Sequence, residues 1–234
     1  MIPDAIRLIT FDLDDTLWPC KPVIRRAERV VYEWLQRHAP RVTEAMSLEA
    51  MREHRMAFMK AHPELLHDLT LVGLRTLEEV MSRHGYPAVL AEEATAVFRA
   101  ARNRVEPYAD VVPVLERLRE SYWLVSVTNG NAQVEETSLK GLFHLNLTAA
   151  EVGAAKPDSA IFHAAAEWGG VKSREMLHVG DDPERDVLAA RRAGMEQVWV
   201  RREGALPWPY LEHRPPALVM EELSPLARVL GARA

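Results

Sequence analysis

Short apolar segments alternate with helical segments over the second half of the chain, and this order constrains the fold more than any other feature of the sequence. From Glu106 onward, apolar segments predict strands at residues 123–127, 145–149, 176–179 and 197–200, with helices between them. Strands that alternate with helices form a parallel sheet, because each crossover connection packs a helix on a face of the sheet. The sequence therefore predicts an α/β fold with a Rossmann-like parallel sheet as its core.

The first predicted strand, Ile6–Phe11, is separated from the others by a long segment of different character. Between residues 22 and 104 apolar residues recur at helical spacing, and prolines and a glycine divide the segment into about four helices. Such an insertion leaves the sheet at its carboxyl edge, where ligands of open α/β sheets bind. We therefore expect two domains: a catalytic core of residues 1–18 and 106–234, and an inserted all-helical cap domain of residues 19–105.

The composition excludes several classes of protein. The 234 residues carry 29 basic and 34 acidic side chains, a formal net charge of −5, and no apolar run approaches the roughly 20 residues of a membrane-spanning helix. Cys20 is the only cysteine and the nine histidines show no paired spacing, which excludes an internal disulfide and disfavours a zinc site. The acidic N-terminal segment does not resemble a signal peptide, and the acidity of the whole chain disfavours nucleic-acid binding. We therefore expect a cytoplasmic protein, a monomer or weak homodimer, with no nucleic-acid or membrane partner.

Three carboxylates follow the first predicted strand, in the segment Phe11-Asp12-Leu13-Asp14-Asp15-Thr16. The repeat of two residues along an extended strand puts Asp12 and Asp14 on one side. Two carboxylates about 4 Å apart repel by roughly 4 kcal/mol at an effective dielectric constant of about 20, and proteins usually offset such repulsion with a proton or a cation. A solvated acidic turn before a helix is the alternative, and it is the better interpretation of an isolated pair of this kind.

A second acidic segment, with Asp181, Asp182 and Asp186, follows the predicted strand 176–179. Taken alone, these acids could equally belong to a helix N-terminus, where negative charge is favourable. The carboxyl ends of parallel strands meet at one edge of a sheet, so both acidic segments would converge there. A few carboxylates suit Mg²⁺, which also keeps water and substrate phosphate as ligands. The two segments together therefore predict a magnesium site.

Two further segments offer groups that contact phosphate. Strand 123–127 ends at Thr128 and Asn129, where a hydroxyl and backbone N–H groups suit phosphate oxygens, and Lys156 precedes a predicted helix. Each has a simpler alternative: a turn that needs asparagine and glycine for its backbone conformation, and an ordinary surface lysine. Taken one at a time, the simpler alternatives are favoured.

The four segments in this order resemble the motifs of the haloacid dehalogenase-like hydrolases. The motifs are Asp-x-Asp-x-Thr after the first strand, a later strand ending in Thr, Lys-Pro, and Gly-Asp-x-x-x-x-Asp. The resemblance covers nearly the whole chain, because the helical insertion is similar to the cap that this family carries between its first and second motifs. It implies a phosphatase that hydrolyses small-molecule phosphate monoesters with Mg²⁺ as its cofactor.

The resemblance also implies a role for each motif residue. Asp12 would attack phosphorus and form an aspartyl-phosphate, and Asp14 would protonate the leaving alcohol and then activate the hydrolytic water. Lys156 would neutralise the phosphate and the nucleophile, while Thr128 and the Asn129 backbone would hold phosphoryl oxygens. The implied metal-binding residues are Asp12, Asp14 through its backbone carbonyl, Asp181 and, at longer range, Asp186.

Several other functions are alternatives. Dehalogenases of this family lack the second acid, because a halide leaves without a proton, so Asp14 favours phosphate-ester chemistry. A phosphomutase would use a similar pair of aspartates and stays open. Phosphonate cleavage would need a cap lysine, and Lys21 and Lys60 lack a supporting context. Two non-enzymatic alternatives are a phospho-aspartate receiver switch, which the long insertion argues against, and a catalytically silent homologue, which the complete motif set argues against.

The segments FDLDDTLW, KPVIRRAE, VTNGNAQ and LHVGDDPERD further resemble the bacterial flavin mononucleotide (FMN) phosphatase subgroup. This resemblance implies hydrolysis of FMN or of 5-amino-6-(5-phospho-D-ribitylamino)uracil, a riboflavin-pathway phosphate, with sugar phosphates and nucleotides as alternatives. The candidates to contact the leaving group are Trp18, Lys21, His67 and Arg75. Trp18 would stack on an isoalloxazine ring or, equally, pack the cap against the core, and ordinary surface positions are the alternative for His67 and Arg75.

Overall fold

A computed structural model of the protein describes residues 5–203, 207–210, 212, 216 and 218–231. A six-stranded sheet consists of β1 (Leu8–Phe11), β2 (Trp123–Thr128), β3 (Leu145–Thr148), β4 (Met176–Gly180), β5 (Glu196–Val200) and β6 (Leu218–Met220). The strands lie in the order β3-β2-β1-β4-β5-β6, and every neighbouring pair is parallel. The predicted α/β fold with a Rossmann-like parallel sheet is confirmed.

Residues 20–102, all of which the structure describes, contain helices and no strand. These are α1 (Cys20–His38), α2 (Pro40–Ala45), α3 (Leu48–Ala61), a 3₁₀ turn (Pro63–Leu65), α4 (Leu69–Arg83) and α5 (Val89–Arg102). The break predicted at Pro40 is present, because the fixed φ of proline suits the first turn of α2. The prediction of about four helices missed the break after Ala45, where the Ser47 side chain accepts a hydrogen bond from the Ala50 N–H and caps the start of α3. The boundaries predicted for the two domains, after residues 18 and 105, stay a prediction.

The inserted helices bury an apolar cluster of their own. Its fully or nearly fully buried members come from α1, α2, α4, α5 and the connection after α1: Val31, Leu35, Ala39, Val42, Val80, Met81, Ala91 and Ala94. Burial of such side chains is the main stabilising contribution to a helical packing of this kind, because isolated helices of this length are marginal in water.

Five further α-helices lie in the remaining described residues: α6 (Val111–Arg119), α7 (Ala149–Val152), α8 (Ala160–Gly169), α9 (Ala189–Arg192) and α10 (Ser224–Val229). Helices cover both faces of the sheet, as the contacts of alternate residues of β1 show. Ile9 and Phe11 pack with apolar residues of α6, whereas Leu8 packs with apolar residues of α8. All residues of β1 and β4 are buried, as expected for central strands of a parallel sheet.

Two predicted helices differ from the structure. The helix predicted over 133–139 is a single 3₁₀ turn, Val134–Glu136, because the backbone N–H and the hydroxyl of Thr137 both bond to the Val134 carbonyl that a longer helix would use. The helix predicted over 186–193 begins earlier with a π-helical turn, because the Asp182 carboxylate accepts hydrogen bonds from two backbone N–H groups at its start. The predicted edge strand is present as β6 beside β5.

None of the helices in the described part of the chain combines the length and the apolar character needed to cross a lipid bilayer. In the sheet, β1 lies between β2 and β4. The segments that follow these three strands therefore lie side by side at the carboxyl edge of the sheet, where α/β proteins bind their ligands.

Candidate active site

Residues from β1, β2 and β4 converge at this edge of the sheet. Asp12 directly follows β1, Thr128 ends β2, and Asp181 directly follows β4. The Asp12 N–H donates to the Val179 carbonyl (2.9 Å), which extends the pairing of β1 with β4 by one residue. Carboxylate oxygens of Asp12, Asp181 and Asp186 all lie within 4.8 Å of one another. The two acidic segments, which are far apart in the sequence, thus form one cluster.

A buried lysine is held against these carboxylates. Lys156 Nζ donates to Asp12 Oδ1 (2.7 Å), Asp186 Oδ1 (2.6 Å) and the Val127 carbonyl (3.1 Å), which satisfies the three N–H groups of the ammonium. The Asn129 side chain fixes the lysine backbone, because it donates to the Lys156 carbonyl and accepts from the Lys156 N–H, both at 2.7 Å. Burial alone would lower the pKa of Lys156, but the two carboxylates outweigh it and raise this pKa above its usual value. The ammonium therefore stays charged.

Asp186 is fully enclosed and holds the lysine from the protein interior. Its Oδ1 also accepts a hydrogen bond from His178 Nε2 (3.0 Å), and its Oδ2 accepts from the Asp182 N–H (2.9 Å). Burial opposes ionisation of Asp186, but the Lys156 ammonium and His178 lower its pKa well below the usual range. Burial lowers the pKa of His178, so its ring is neutral, and Nδ1 accepts from the Thr10 hydroxyl (2.8 Å). The Asp186 carboxylate is therefore ionised and fixed in orientation.

The buried cluster has an excess of negative charge. Three carboxylates, those of Asp12, Asp181 and Asp186, face the one ammonium of Lys156, so the balance is −2 when all are ionised. Burial raises the pKa of Asp12 to about 7 despite the nearby lysine, and burial together with the neighbouring carboxylates raises the pKa of Asp181 to about 9. A divalent cation would remove this repulsion, and carboxylate oxygens are ligands that Mg²⁺ prefers. The residues present therefore fit a magnesium ion.

Asp14 lies where the sheet edge meets the inserted helices. Its two carboxylate oxygens accept hydrogen bonds from Arg102 Nη2 (2.7 and 2.6 Å), and Oδ1 also accepts from Trp18 Nε1 (2.9 Å). Arg102 ends α5 and is 1% exposed, and its Nε and Nη1 have no hydrogen-bond partner among the described residues. The turn after Asp14 is tight, with Asp15 at a φ of 60° and its Oδ1 accepting from the Cys20 N–H (2.8 Å). Residues at both ends of the insertion therefore orient the Asp14 carboxylate.

Glycine is required at two positions of the motifs, because the backbone there passes against an acidic side chain. Thr128 Oγ1 accepts from the Gly130 N–H (2.9 Å), and a Cβ at Gly130 would lie 2.7 Å from Asp14 Oδ2. A Cβ at Gly180 would overlap the Asp186 side chain. Any other residue at either position would displace one of the two carboxylates.

Comparison with known proteins decides the family. Residues 6–194 match the haloacid dehalogenase-like hydrolases. The chain belongs to this family.

Two curated relatives of this hydrolase are phosphatases. It is 38% identical over 205 residues to the 5-amino-6-(5-phospho-D-ribitylamino)uracil phosphatase YigB of Escherichia coli (strain K12), an alignment that covers 85% of this chain and 84% of that protein. It is 32% identical over 209 residues to the glyceraldehyde 3-phosphate phosphatase of Methanopyrus kandleri, with 84% of each chain covered. The motifs and these relatives make the chain a phosphoric monoester hydrolase.

A solved structure is similar over almost the whole hydrolase. The crystal structure of a 2-haloacid dehalogenase from Pseudomonas syringae pv. Tomato DC3000 has a TM-score of 0.88 and 34% sequence identity, and the superposition covers 97% of this chain and 98% of that one. A phosphatase of the same family, from Thermococcus onnurineus, has a TM-score of 0.70 at 25% identity. Both phosphatases and dehalogenases therefore share this fold.

The four residues predicted to contact the leaving group lie in different surroundings. Trp18 is fully buried in the apolar cluster that contains Phe11, as in the alternative in which this ring packs inside the protein, and stacking of the ring on a substrate stays a prediction. Lys21 and Arg75 are exposed and lie outside the two cavities that reach the site. His67 lines a cavity of about 490 Å³ that also reaches Thr128. Substrate binding by Lys21, His67 and Arg75 stays a prediction.

Three residues of the hydrogen-bond network are absent from the sequence-based site. Thr16 Oγ1 donates to Asp181 Oδ1 (3.0 Å), and its place in the first motif is a signal that could have indicated this contact. His178 is a polar residue inside the apolar strand β4, which is also a signal of a buried partner. Arg102 lies 88 residues from Asp14 at the end of an amphipathic helix that also carries Arg99, and nothing in the sequence distinguishes it.

Proposed function

We propose that the hydrolase is a Mg²⁺-dependent phosphatase, which transfers the phosphoryl group of a small-molecule monoester to Asp12 and then to water. The observation that carries this proposal is the buried cluster in which Asp12 lies 2.7 Å from Lys156 and beside the carboxylates of Asp181 and Asp186, a set whose charge would be −2 with all groups ionised. Phosphoryl transfer needs positioning and charge neutralisation above all, and this cluster supplies both.

Asp12 acts as the nucleophile in this proposal. A bond forms between its carboxylate oxygen and phosphorus while the bond from phosphorus to the leaving alcohol breaks. Lys156 fixes the orientation of the carboxylate through Oδ1 and neutralises charge that would otherwise repel the phosphate. Thr128 ends β2, which pairs with β1, and in this proposal its hydroxyl and the backbone of Asn129 would donate hydrogen bonds to the phosphoryl oxygens.

Asp14 acts as the general acid and then as the general base. In the first step its proton passes to the leaving alcohol. In the second step Asp14 takes a proton from water, the water oxygen bonds to phosphorus, and the bond between phosphorus and Asp12 breaks to release inorganic phosphate. Arg102 and Trp18 hold the Asp14 carboxylate in one orientation, which supports the proposed proton transfer at a defined oxygen.

The metal would be held by the carboxylates of Asp12 and Asp181 and by the backbone carbonyl of Asp14, with Asp186 nearby. When bound, Mg²⁺ neutralises phosphate oxygens and the charge that develops on them. The hydrogen bond from Thr16 to Asp181 and the contacts of Asp186 with Lys156 orient the acidic side chains before any ion binds.

The relative from Escherichia coli supports a substrate of the riboflavin pathway, because 38% identity extends over 85% of the chain. We therefore propose 5-amino-6-(5-phospho-D-ribitylamino)uracil or FMN as the substrate. Sugar phosphates, nucleotides and a phosphomutase reaction are the alternatives, and the relative named for glyceraldehyde 3-phosphate keeps small esters among them. A cytoplasmic location and a monomer or weak homodimer stay predictions.

A dehalogenase function is a second candidate because of the crystal structure with a TM-score of 0.88. Asp14 argues against it, since halide departure needs no proton donor, whereas an alcohol leaving group does. The carboxylate of Asp14 is also held by two donors at the site, which is consistent with a function for this acid.

A substrate panel tests the proposal. We expect phosphate release from p-nitrophenyl phosphate with Mg²⁺ and none with excess chelator, FMN and the ribitylaminouracil phosphate among the better substrates, and no chloride release from 2-chloropropionate. The absence of phosphate release from any ester at saturating Mg²⁺ would contradict the phosphatase function. Turnover of other esters with FMN and the ribitylaminouracil phosphate at background would contradict only the riboflavin-pathway substrate.

A further inference from the structure

A cavity lies between the inserted helices and reaches the site at Asp14. Its volume is about 310 Å³, and its walls come mainly from α1, α3, α4 and α5. Asp14, Arg102 and Gly130 line the part next to the site, and Glu28 and Arg55 line the cavity as well. Small-molecule sites are commonly cavities of this size with mostly apolar walls and a few polar groups.

The course of α1 gives the cavity its length. Cys20, Ile24, Glu28 and Tyr32 line it at intervals of four residues, which is the spacing of one helix face. Cys20 is at the end near the site, since its N–H donates to the Asp15 carboxylate. Eight residues of α-helix rise about 12 Å. A molecule with its phosphate at the sheet edge must therefore extend by about this distance to reach Glu28.

Most of the other side chains that line the cavity are apolar. They include Ile24, Leu48, Met51, Met59, Leu77 and Phe98. Apolar walls stabilise an apolar ligand by removing its surface from water, and flexible methionine side chains adapt to the faces of a flat ring. The apolar part of the cavity therefore suits a ring system better than a hydroxyl-rich sugar.

The far end of the cavity, which is the part from Glu28 to Tyr32 of α1, contains charged groups. Glu28 is 8% exposed and accepts hydrogen bonds from Arg52 Nε (2.9 Å), from Arg52 Nη2 (2.6 Å) and from Arg55 Nη2. Arg52 also contacts the exposed Glu49 (3.0 Å). A guanidinium has more N–H donors than these contacts use, so Arg52 and Arg55 can also donate to oxygen atoms of a ligand. The carboxylate of Glu28 keeps both groups in place.

We propose that this cavity binds the alcohol part of the substrate, and that this alcohol is an extended chain ending in a flat ring with carbonyl oxygens on its outer edge. The inference rests on the proposed phosphatase function and names its substrate class. The phosphate lies at the sheet edge, the chain passes Asp14 and Arg102, and the ring carbonyls accept hydrogen bonds from Arg52 and Arg55. Short alcohols such as a triose or serine leave the far end without a ligand.

Gly73 of α4 provides a direct test of this use of the cavity. It lines the cavity, and a Cβ at this position would meet nothing within 4 Å. Gly73→Leu therefore fills the space that the ring would occupy, while replacement of a glycine inside a helix favours folding. Gly73→Ala is the matched control, because it makes the same backbone change and fills little of the cavity.

The experiment compares kcat/KM for FMN with kcat/KM for the short ester p-nitrophenyl phosphate, at saturating Mg²⁺. We expect the ratio to fall at least about 10-fold in Gly73→Leu and in Arg55→Met, mainly through KM for FMN, since loss of a hydrogen bond to a charged group costs about this factor. Gly73→Ala and the exposed control Arg83→Met keep the ratio within about twofold of the wild type. An unchanged ratio in both Gly73→Leu and Arg55→Met would overturn the inference.

Failure of the proposed function gives a different result, since the wild type would then hydrolyse neither ester. In that case binding of riboflavin, which has the ring and the chain without the phosphate, is measured through its fluorescence. Binding to the wild type that weakens at least about 10-fold in Gly73→Leu supports the inference, and the absence of binding overturns it. The inference would also be overturned if Arg55→Met lowered the turnover of fructose 1,6-bisphosphate but not that of FMN, because the far end would then bind an anion.

Discussion

The sheet edge and the cavity between the inserted helices contribute to one site by different means. At the sheet edge, Asp12, Thr128 and Asp181 stand at the ends of adjacent strands, and hydrogen bonds to buried groups fix the acidic cluster. In the cavity, the polar groups Glu28 and Arg55 come from two different helices and lie among apolar side chains. In the function that we propose, the first region determines the reaction, and the second determines the size and shape of the substrate. Variants at the sheet edge should therefore affect every substrate alike, whereas variants in the cavity should affect long substrates alone.

The largest effect is expected at the nucleophile. Asp12→Asn removes the attacking carboxylate, so kcat should fall by roughly 10³-fold or more, the scale seen when enzymes lose a nucleophile. FMN and p-nitrophenyl phosphate should lose the same factor, because the reacting group is common to both. The measurement is phosphate release, with thermal unfolding as the control for folding. A loss confined to one of the two substrates would contradict the division between the two regions.

Magnesium should stabilise the protein through the acidic cluster. At about 100 times its Kd, an ion that binds only the folded state adds about 2.7 kcal/mol, which corresponds to a rise in Tm of about 5–10 °C for a chain of this size. Asp181→Asn should remove this rise, because it removes a ligand charge. Without metal, this variant should unfold at or above the Tm of the wild type. It removes a charge from the acidic cluster, and its amide oxygen can still accept the hydrogen bond from the Thr16 hydroxyl. An equal rise of Tm with Mg²⁺ in the variant and the wild type would place the ion elsewhere.

Arg102 connects the two regions, since it ends a helix of the insertion and contacts Asp14 at 2.6 and 2.7 Å. Arg102→Met should lower kcat by roughly 10- to 100-fold, because one charge-assisted contact that orients Asp14 is lost. The loss should be similar for FMN and p-nitrophenyl phosphate, and Arg102→Lys should restore part of it. Steady-state kinetics of both variants checks this, and activity of Arg102→Met within about twofold of the wild type would show that Trp18 alone orients Asp14.

The sequence predicts the sheet edge better than the cavity for a physical reason. Each segment at the edge follows a strand directly, so the order of strands in a parallel sheet is enough to bring Asp12, Thr128 and Asp181 together. Lys156 also reaches this cluster, although the sequence alone favours a surface position for it. The parallel sheet is confirmed because buried strands have a clear apolar pattern.

The cavity depends on how the helices pack, which local sequence patterns do not reveal. Lys21 and Arg75 are exposed, and Trp18 is buried, whereas Glu28 and Arg55 line the cavity. All five lie on amphipathic helices or in a turn, and which polar residue faces inward depends on the angles at which the helices cross. Glu28 lies on the buried face of α1. Its charge among the apolar positions of that helix is a signal that could have indicated a buried polar contact in the insertion.

The account depends most on a phosphoryl group bonded to Asp12, and trapping that group is the most direct test. In Asp14→Asn the acyl phosphate should accumulate with p-nitrophenyl phosphate, because p-nitrophenolate leaves without a proton donor while the water that hydrolyses the intermediate lacks its base. Acid quenching, borohydride reduction and peptide mass analysis should then find homoserine at position 12. Release of p-nitrophenolate in a single turnover with no modification at Asp12, or with modification at another residue, would contradict the account.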